Sequence, residues 1–112
     1  MKITLCTKLS TGVVFVADTF SSIADAETAL HLMNGSNYFL VFEPFYVGAK
    51  AMILNKYTGR KTGPFVVLAV TPTGKTVTIA RPDFANKEEK FKSVKEYSGK
   101  HYNDYSGFLF PV

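Results

Sequence analysis

Residues 65–80 read FVVLAVTPTGKTVTIA, two strand-length apolar runs on either side of TPTG. The first run is rich in β-branched residues and the second alternates apolar with polar, which is hairpin grammar. Pro72 and Gly74 suit the second and fourth positions of a type I turn. The same stretch, from Ala69 to Thr76, also satisfies a relaxed phosphate-loop pattern. A true phosphate loop must open into a helix whose N-terminal amides cradle the phosphates. Here VTIA follows, stopped by Pro82, and that is strand grammar. VVFVAD, ending in Asp18, imitates the magnesium-binding strand of such folds, but it precedes the loop, and a chain of 112 residues leaves little room for a nucleotide-hydrolysing fold. The turn is the reading.

Upstream, TGRKTG (58–63) is a glycine-flanked basic loop, and FYVGAKAMILNKY (45–57) reads as one long strand or two bent at Gly48. Pro44 separates it from the short strand YFLVFE. At the start, KITLCTKL sets Ile3, Leu5 and Leu9 against Lys2, Cys6 and Lys8, a half-exposed strand. Ser10-Thr11-Gly12 reads as a turn and VVFVA as a second, more buried strand. The next segment is helical: Ser22 caps it, Asp25 lies in its first turn, Ile23, Ala26, Leu30 and Met33 recur at helical spacing, and Asn34-Gly35 stops it. The narrow stripe predicts a helix lying on a sheet, on Ile3, Leu5, Phe15 and Leu40.

Downstream, NKEEKFKSVKEYSG (86–99) has a helical grammar, with Asn86 as cap, Phe91 and Val94 on one side and Gly99 as stop. FKSVKEY also reads as an edge strand; the helix is preferred. SGKHYNDYSG is a polar loop and FLFPV a closing strand. No repeat or linker divides the chain, so residues 1–112 are expected to form one domain. The fold class is α+β: a bent antiparallel sheet or small open β-barrel of about six to seven strands, with one helix over about 22–34 packed on it and a second over about 86–98.

A hydrophobic fraction of 46% with 20% charged residues is ordinary for a folded domain. Ten Phe and six Tyr, with no Trp, favour strands, where large rings pack on a pleated surface. Cys6 is the only cysteine, which excludes an internal disulfide and fits a reducing compartment. The apolar runs are too short to span a bilayer as helices and the N-terminus lacks signal-peptide grammar, so the expected location is the cytoplasm, without membrane contact. Charge is uneven. Residues 1–43 carry −2, residues 44–82 carry +6 without a single acid, and residues 83–112 are neutral, for a net +4.

Candidate chemistry is sparse. His31 lies one helical turn after Glu27, and His101 sits between Lys100 and Tyr102. Two lone histidines and scattered acids make no metal site. Cys6 would act as a nucleophile only with a depressed pKa, and a bystander thiol is the simpler reading. No catalytic residue, metal or cofactor is expected, and the chain does not read as an enzyme. Two binding candidates stand out. Lys50, Lys56, Tyr57, Arg60, Lys61, Lys75 and Arg81 gather around two turns that could lie at one end of a sheet, as a phosphate-binding surface requires. Tyr97, His101, Tyr102 and Tyr105, laced with Ser, Gly and Asn, resemble the composition of binding loops.

FVVLAVTPTGKTVTIA, followed by KF, SGKHY and SGF, resembles the C-terminal half of small proteins encoded by bacteriophages. The resemblance spans residues 63–108 at most and carries over no functional residue. It implies an accessory protein, acting in the host cytoplasm, that binds and inhibits host enzymes or sequesters host signals. The leading expectation is therefore a non-enzymatic inhibitor or interaction protein that docks on a macromolecular partner, with protein ranked ahead of nucleic acid. The alternatives are a small-barrel nucleic-acid-binding module using residues 44–82, and a homo-oligomeric sponge for a small anionic, nucleotide-like ligand.

Overall fold

The computed structural model describes residues 1–33, 37–55, 58–82, 87–99 and 108–112. Its backbone is α+β and mostly strand. In chain order the elements are β1 (Ile3–Lys8), β2 (Val14–Phe20), α1 (Ile23–Leu32), β3 (Tyr38–Phe42) and β4 (Lys50–Leu54). Then come β5 (Lys61–Val70), β6 (Thr76–Arg81), β7 (Lys87–Ser93), β8 (Glu96–Tyr97) and β9 (Phe108–Pro111). They form two compact units, Met1–Glu43 with Lys95–Lys100, and Pro44–Val94 with His101–Val112.

The first unit is a four-stranded antiparallel sheet in the order β2-β1-β3-β8 with α1 packed on it. Ser22 caps the helix as expected: its Oγ accepts from the Asp25 N–H at 3.2 Å, satisfying one of the first-turn amides that have no helical partner. Ile23, Ala26 and Leu30 are buried, and the sheet supplies Ile3, Leu5, Leu40, Phe42 and Tyr97 to the core. Phe15, expected beneath the helix, is half exposed on β2 instead. The expected stop at Asn34-Gly35 lies outside the described residues. Gly99 holds φ +79° against Leu30, where an added Cβ would come within 3.1 Å of a Leu30 methyl.

In the second unit β4, β5, β6 and β7 form a meander, and β9 closes it into a ring by pairing antiparallel with β4 and parallel with β7. A ring leaves no strand edge unpaired among its members. Ala51, Leu54, Val67, Val77, Ile79, Leu109 and Phe110 are buried. The β5–β6 connection is the turn read from the sequence: the Gly74 N–H donates to the Thr71 carbonyl at 2.8 Å, with Pro72 second and Gly74 fourth. Ser93 then ties this turn to the end of β7, its Oγ donating to the Gly74 carbonyl at 2.7 Å and its N–H to the Lys75 carbonyl at 3.0 Å. No helix opens after Lys75, which removes the phosphate-loop reading.

The helix expected over 86–98 is absent: the described part, residues 87–98, holds strands β7 and β8. β7 pairs with the whole length of β6, from Arg81↔Lys87 to Thr76↔Lys92. Its exposure follows the strand period, with Glu89, Phe91 and Ser93 half-buried and Glu88, Lys90 and Lys92 exposed. A helix there had only Phe91 and Val94 to bury, whereas the strand satisfies its backbone on a neighbour and points Phe91 off the solvent face. The long strand expected over 45–57 shortens to β4, preceded by a turn in which the Gly48 N–H donates to the Val67 carbonyl.

Candidate functional site

The basic stretch is dispersed by the topology. Asn55 and Arg60, whose carbonyl accepts from the Asn55 N–H, precede β5 and the turn from Thr71 to Lys75 follows it, so ten strand residues, about 30 Å, separate the two ends. The expectation that both turns share one end of a sheet is thereby corrected. Arg60 is exposed at the first end and Lys75 at the second, while Lys50 stands opposite Val66, between them. Two of the cations are engaged within the ring of strands. The Lys61 ammonium lies 5.0 Å from the centre of the Phe110 ring, and the Arg81 guanidinium 4.9 Å from that of Phe65. Arg81 also stands 3.5 Å from the Glu89 carboxylate. Such contacts hold the charge over apolar surface within the fold. Lys56 and Tyr57 lie outside the described residues.

Of the tyrosine-rich candidates, Tyr97 is buried, its ring stacked on Phe42 with centroids 6.5 Å apart, so it serves the core of the first unit. His101, Tyr102 and Tyr105 lie outside the described residues. His31 is exposed on α1. Cys6 is buried rather than half-exposed, and burial, with the nearby Glu96 carboxylate second, raises its pKa above 9.0. The depressed pKa that a nucleophile needs is not there. Among the described residues no cluster of three His, Cys, Asp or Glu side chains could hold a metal ion, and no helix is long and apolar enough to cross a membrane. A depression lined by Met1, Lys2, Thr19, Phe20 and Ser21 is open to solvent.

What does stand out is β2. Sequence reasoning makes VVFVA the more buried strand of the N-terminal hairpin, yet Val14, Phe15 and Val16 are 49%, 52% and 66% exposed. Leu9 and Val13, in the preceding turn, are about as exposed. The cause is position. β2 is the outermost strand of its sheet, paired with β1 on one side and with no described strand on the other. Unpaired edges are templates for another chain, and proteins ordinarily blunt them with charges, proline or brevity. The opposite edge obeys that rule: β8 has two residues, one of them Glu96, with Lys95 just before it. β2 does not, because no charged residue or proline occurs from Leu9 to Ala17. The signal was present in the sequence as an uncharged VVFV run beside a turn. Periodicity alone cannot tell a buried strand from an uncovered edge.

Hydrogen-bond direction along β2 follows from its hairpin. The Gly12 N–H donates to the Leu9 carbonyl, and the Leu9 N–H to the Val13 carbonyl at 2.9 Å, so Val13 faces β1. Lys8↔Val14, Thr7↔Phe15 and Cys6↔Val16 continue that register. Antiparallel ladders alternate residues that bond their neighbour with residues that bond outward. Phe15 therefore bonds to β1, while the N–H and C=O groups of Val14 and Val16 face outward. Past Val16 the register shifts, Asp18 pairing with Leu5, so a bulge ends the straight edge at Ala17. The site is a four-residue ribbon, apolar on both faces, with two outward donors and two outward acceptors.

The second unit also exposes apolar side chains, with Val66 and Leu68 pointing out from β5 and Tyr46 and Val47 preceding β4. β4 and β5 each have a neighbouring strand on both sides in the ring, so neither is an outermost strand as β2 is. No family model matches the chain, and neither a curated protein nor a solved structure matches it. The resemblance of residues 63–108 to phage accessory proteins stays an expectation of the sequence.

Proposed function

We propose that this chain is a non-enzymatic binding protein that docks on a protein partner by accepting a strand along the outer edge of β2. The observation that carries the reading is the exposed, uncharged ribbon Val13–Val16 with its outward backbone groups. Strand addition draws affinity from main-chain hydrogen bonds and specificity from alternate side chains, and this edge supplies both. The dispersal of the basic residues and the engagement of Lys61 and Arg81 over rings weigh against a nucleic-acid or small-anion site built from residues 44–82. An inhibitor or interaction protein of the phage-accessory type would act through such a surface.

The test places a photoreactive amino acid at position 16 and, as control, at Thr28 on the exposed side of α1. Irradiation in cells is expected to trap a protein adduct at position 16 that is missing at position 28. Equal labelling at both positions, or none at either, would overturn the reading.

A further inference from the structure

Resting on that docking reading, we infer that the occupant of the β2 edge is a second copy of this chain, paired antiparallel about a two-fold axis through Phe15. The outward groups of β2 belong to Val14 and Val16. Two such edges fit one another in the register that sets Val14 opposite Val16 of the second copy, and Val16 opposite its Val14. Each is then a hydrogen-bonded pair exchanging two bonds, which leaves no outward group of the ribbon unmatched. Phe15 meets Phe15 in the intervening non-bonded pair, where side chains approach most closely.

Because side chains alternate across a strand, the two phenylalanine rings share one face of the joined sheet and the four valines the other. Isologous symmetry demands a self-complementary patch, and a ribbon with outward groups at residues flanking one central phenylalanine has that property. The bulge at Ala17 and the turn at Gly12 bound the ribbon on both sides, so a slipped register would lose bonds.

Charge supports the same orientation. Lys8 stands beside the Val14 end of the ribbon and Asp18 at the other end, both exposed. Antiparallel pairing brings the Lys8 end of each copy to the Asp18 end of the other, whereas parallel pairing would set like charges together. Leu9, Val13, Val14, Phe15 and Val16, each about half exposed or more, leave on the order of 500 Å² of exposed surface around this edge, at the upper end for a lone chain. The joined sheet, β8-β3-β1-β2 continued into its symmetry mate, has eight strands, an ordinary width.

The experiment uses the purified full chain. Sedimentation over a hundredfold range of concentration is expected to give twice the chain mass at the upper end. Val16→Lys and Val14→Lys should each yield the monomer throughout, with an unchanged circular-dichroism spectrum, and Thr28→Lys should stay dimeric. Hydrogen exchange on the wild type gives a reading that needs no variant. The Val14 and Val16 amides, which face away from β1, should be protected in the dimer and exchange freely on dilution, while the Phe15 amide stays protected in both. With a mild chemical oxidant added to accept the two electrons, the introduced thiols of two Phe15→Cys copies should join in a disulfide across the axis. A wild-type monomer at every concentration, or a dimer indifferent to Val16→Lys, overturns the inference. The photoreactive label at position 16 separates the two ideas. An adduct at twice the chain mass supports self-pairing; an adduct only with a different protein sinks self-pairing and leaves docking standing; no adduct sinks both.

Discussion

Cys6 shows how far one residue's environment departs from its type. On β1 it is buried, and burial raises its pKa from 9.0, with the Glu96 carboxylate adding in the same direction. The folded state thus holds the thiol proton more tightly than the unfolded chain does. Its contribution to stability is complete below the unfolded pKa and is lost as pH rises through 9 toward the folded value. Comparing denaturant melts of wild type and Cys6→Ala between pH 7 and pH 10.5 should show a steeper alkaline loss in the wild type; parallel curves would refute it. Gly63 makes a different demand. It holds φ +144° in β5, and an added Cβ would stand 2.9 Å from the Ala51 carbonyl oxygen, a backbone atom that cannot swing aside. Gly63→Ala should cost about 1–3 kcal/mol in chemical denaturation, and a neutral result would mean that the β4–β5 register yields.

At the level of elements, α1 and β2 behave oppositely although both carry apolar residues in sequence. The stripe Ile23, Ala26 and Leu30 finds the sheet and is buried, while the neighbouring His31 faces water. Leu30→Ala should therefore cost about 2–4 kcal/mol, and His31→Ala should stay within about 0.5 kcal/mol of wild type. Equal, mild effects in urea melts would place the helix on a different face. β2 carries an apolar run as strong as that of β5, yet nothing described covers it. Helical spacing names the buried side of α1 because the period leaves one face apolar. A continuous run such as VVFV names no side, so its burial depends on where the strand falls in the sheet.

For the whole molecule, the question is which force governs association. The net charge of +4 is divided among positions that the fold separates, with Arg60 and Lys75 at opposite ends of β5. The proposed association through β2 would rest on apolar contact and backbone hydrogen bonds, with Lys8 and Asp18 exposed and screened. The dimer fraction should hold or rise as sodium chloride increases from 50 mM to 1 M, whereas a phosphate-binding mode would weaken steeply. Light scattering at both salts decides, and dissociation in 1 M salt would show that charge holds the copies together. Local chemistry was legible along the chain: the Thr71–Gly74 turn, the Ser22 cap, the buried stripe of α1 and the strand-rich α+β class all follow from residues within one or two turns of each other. The β7 strand, the closure of β4 to β9 into a ring, the splitting of the basic residues and the exposure of Val14, Phe15 and Val16 do not. Each depends on which distant strand lies alongside, and a one-dimensional pattern carries the period of an element but not the identity of its neighbour. The candidate site itself exists only because β2 falls last in the order of its sheet.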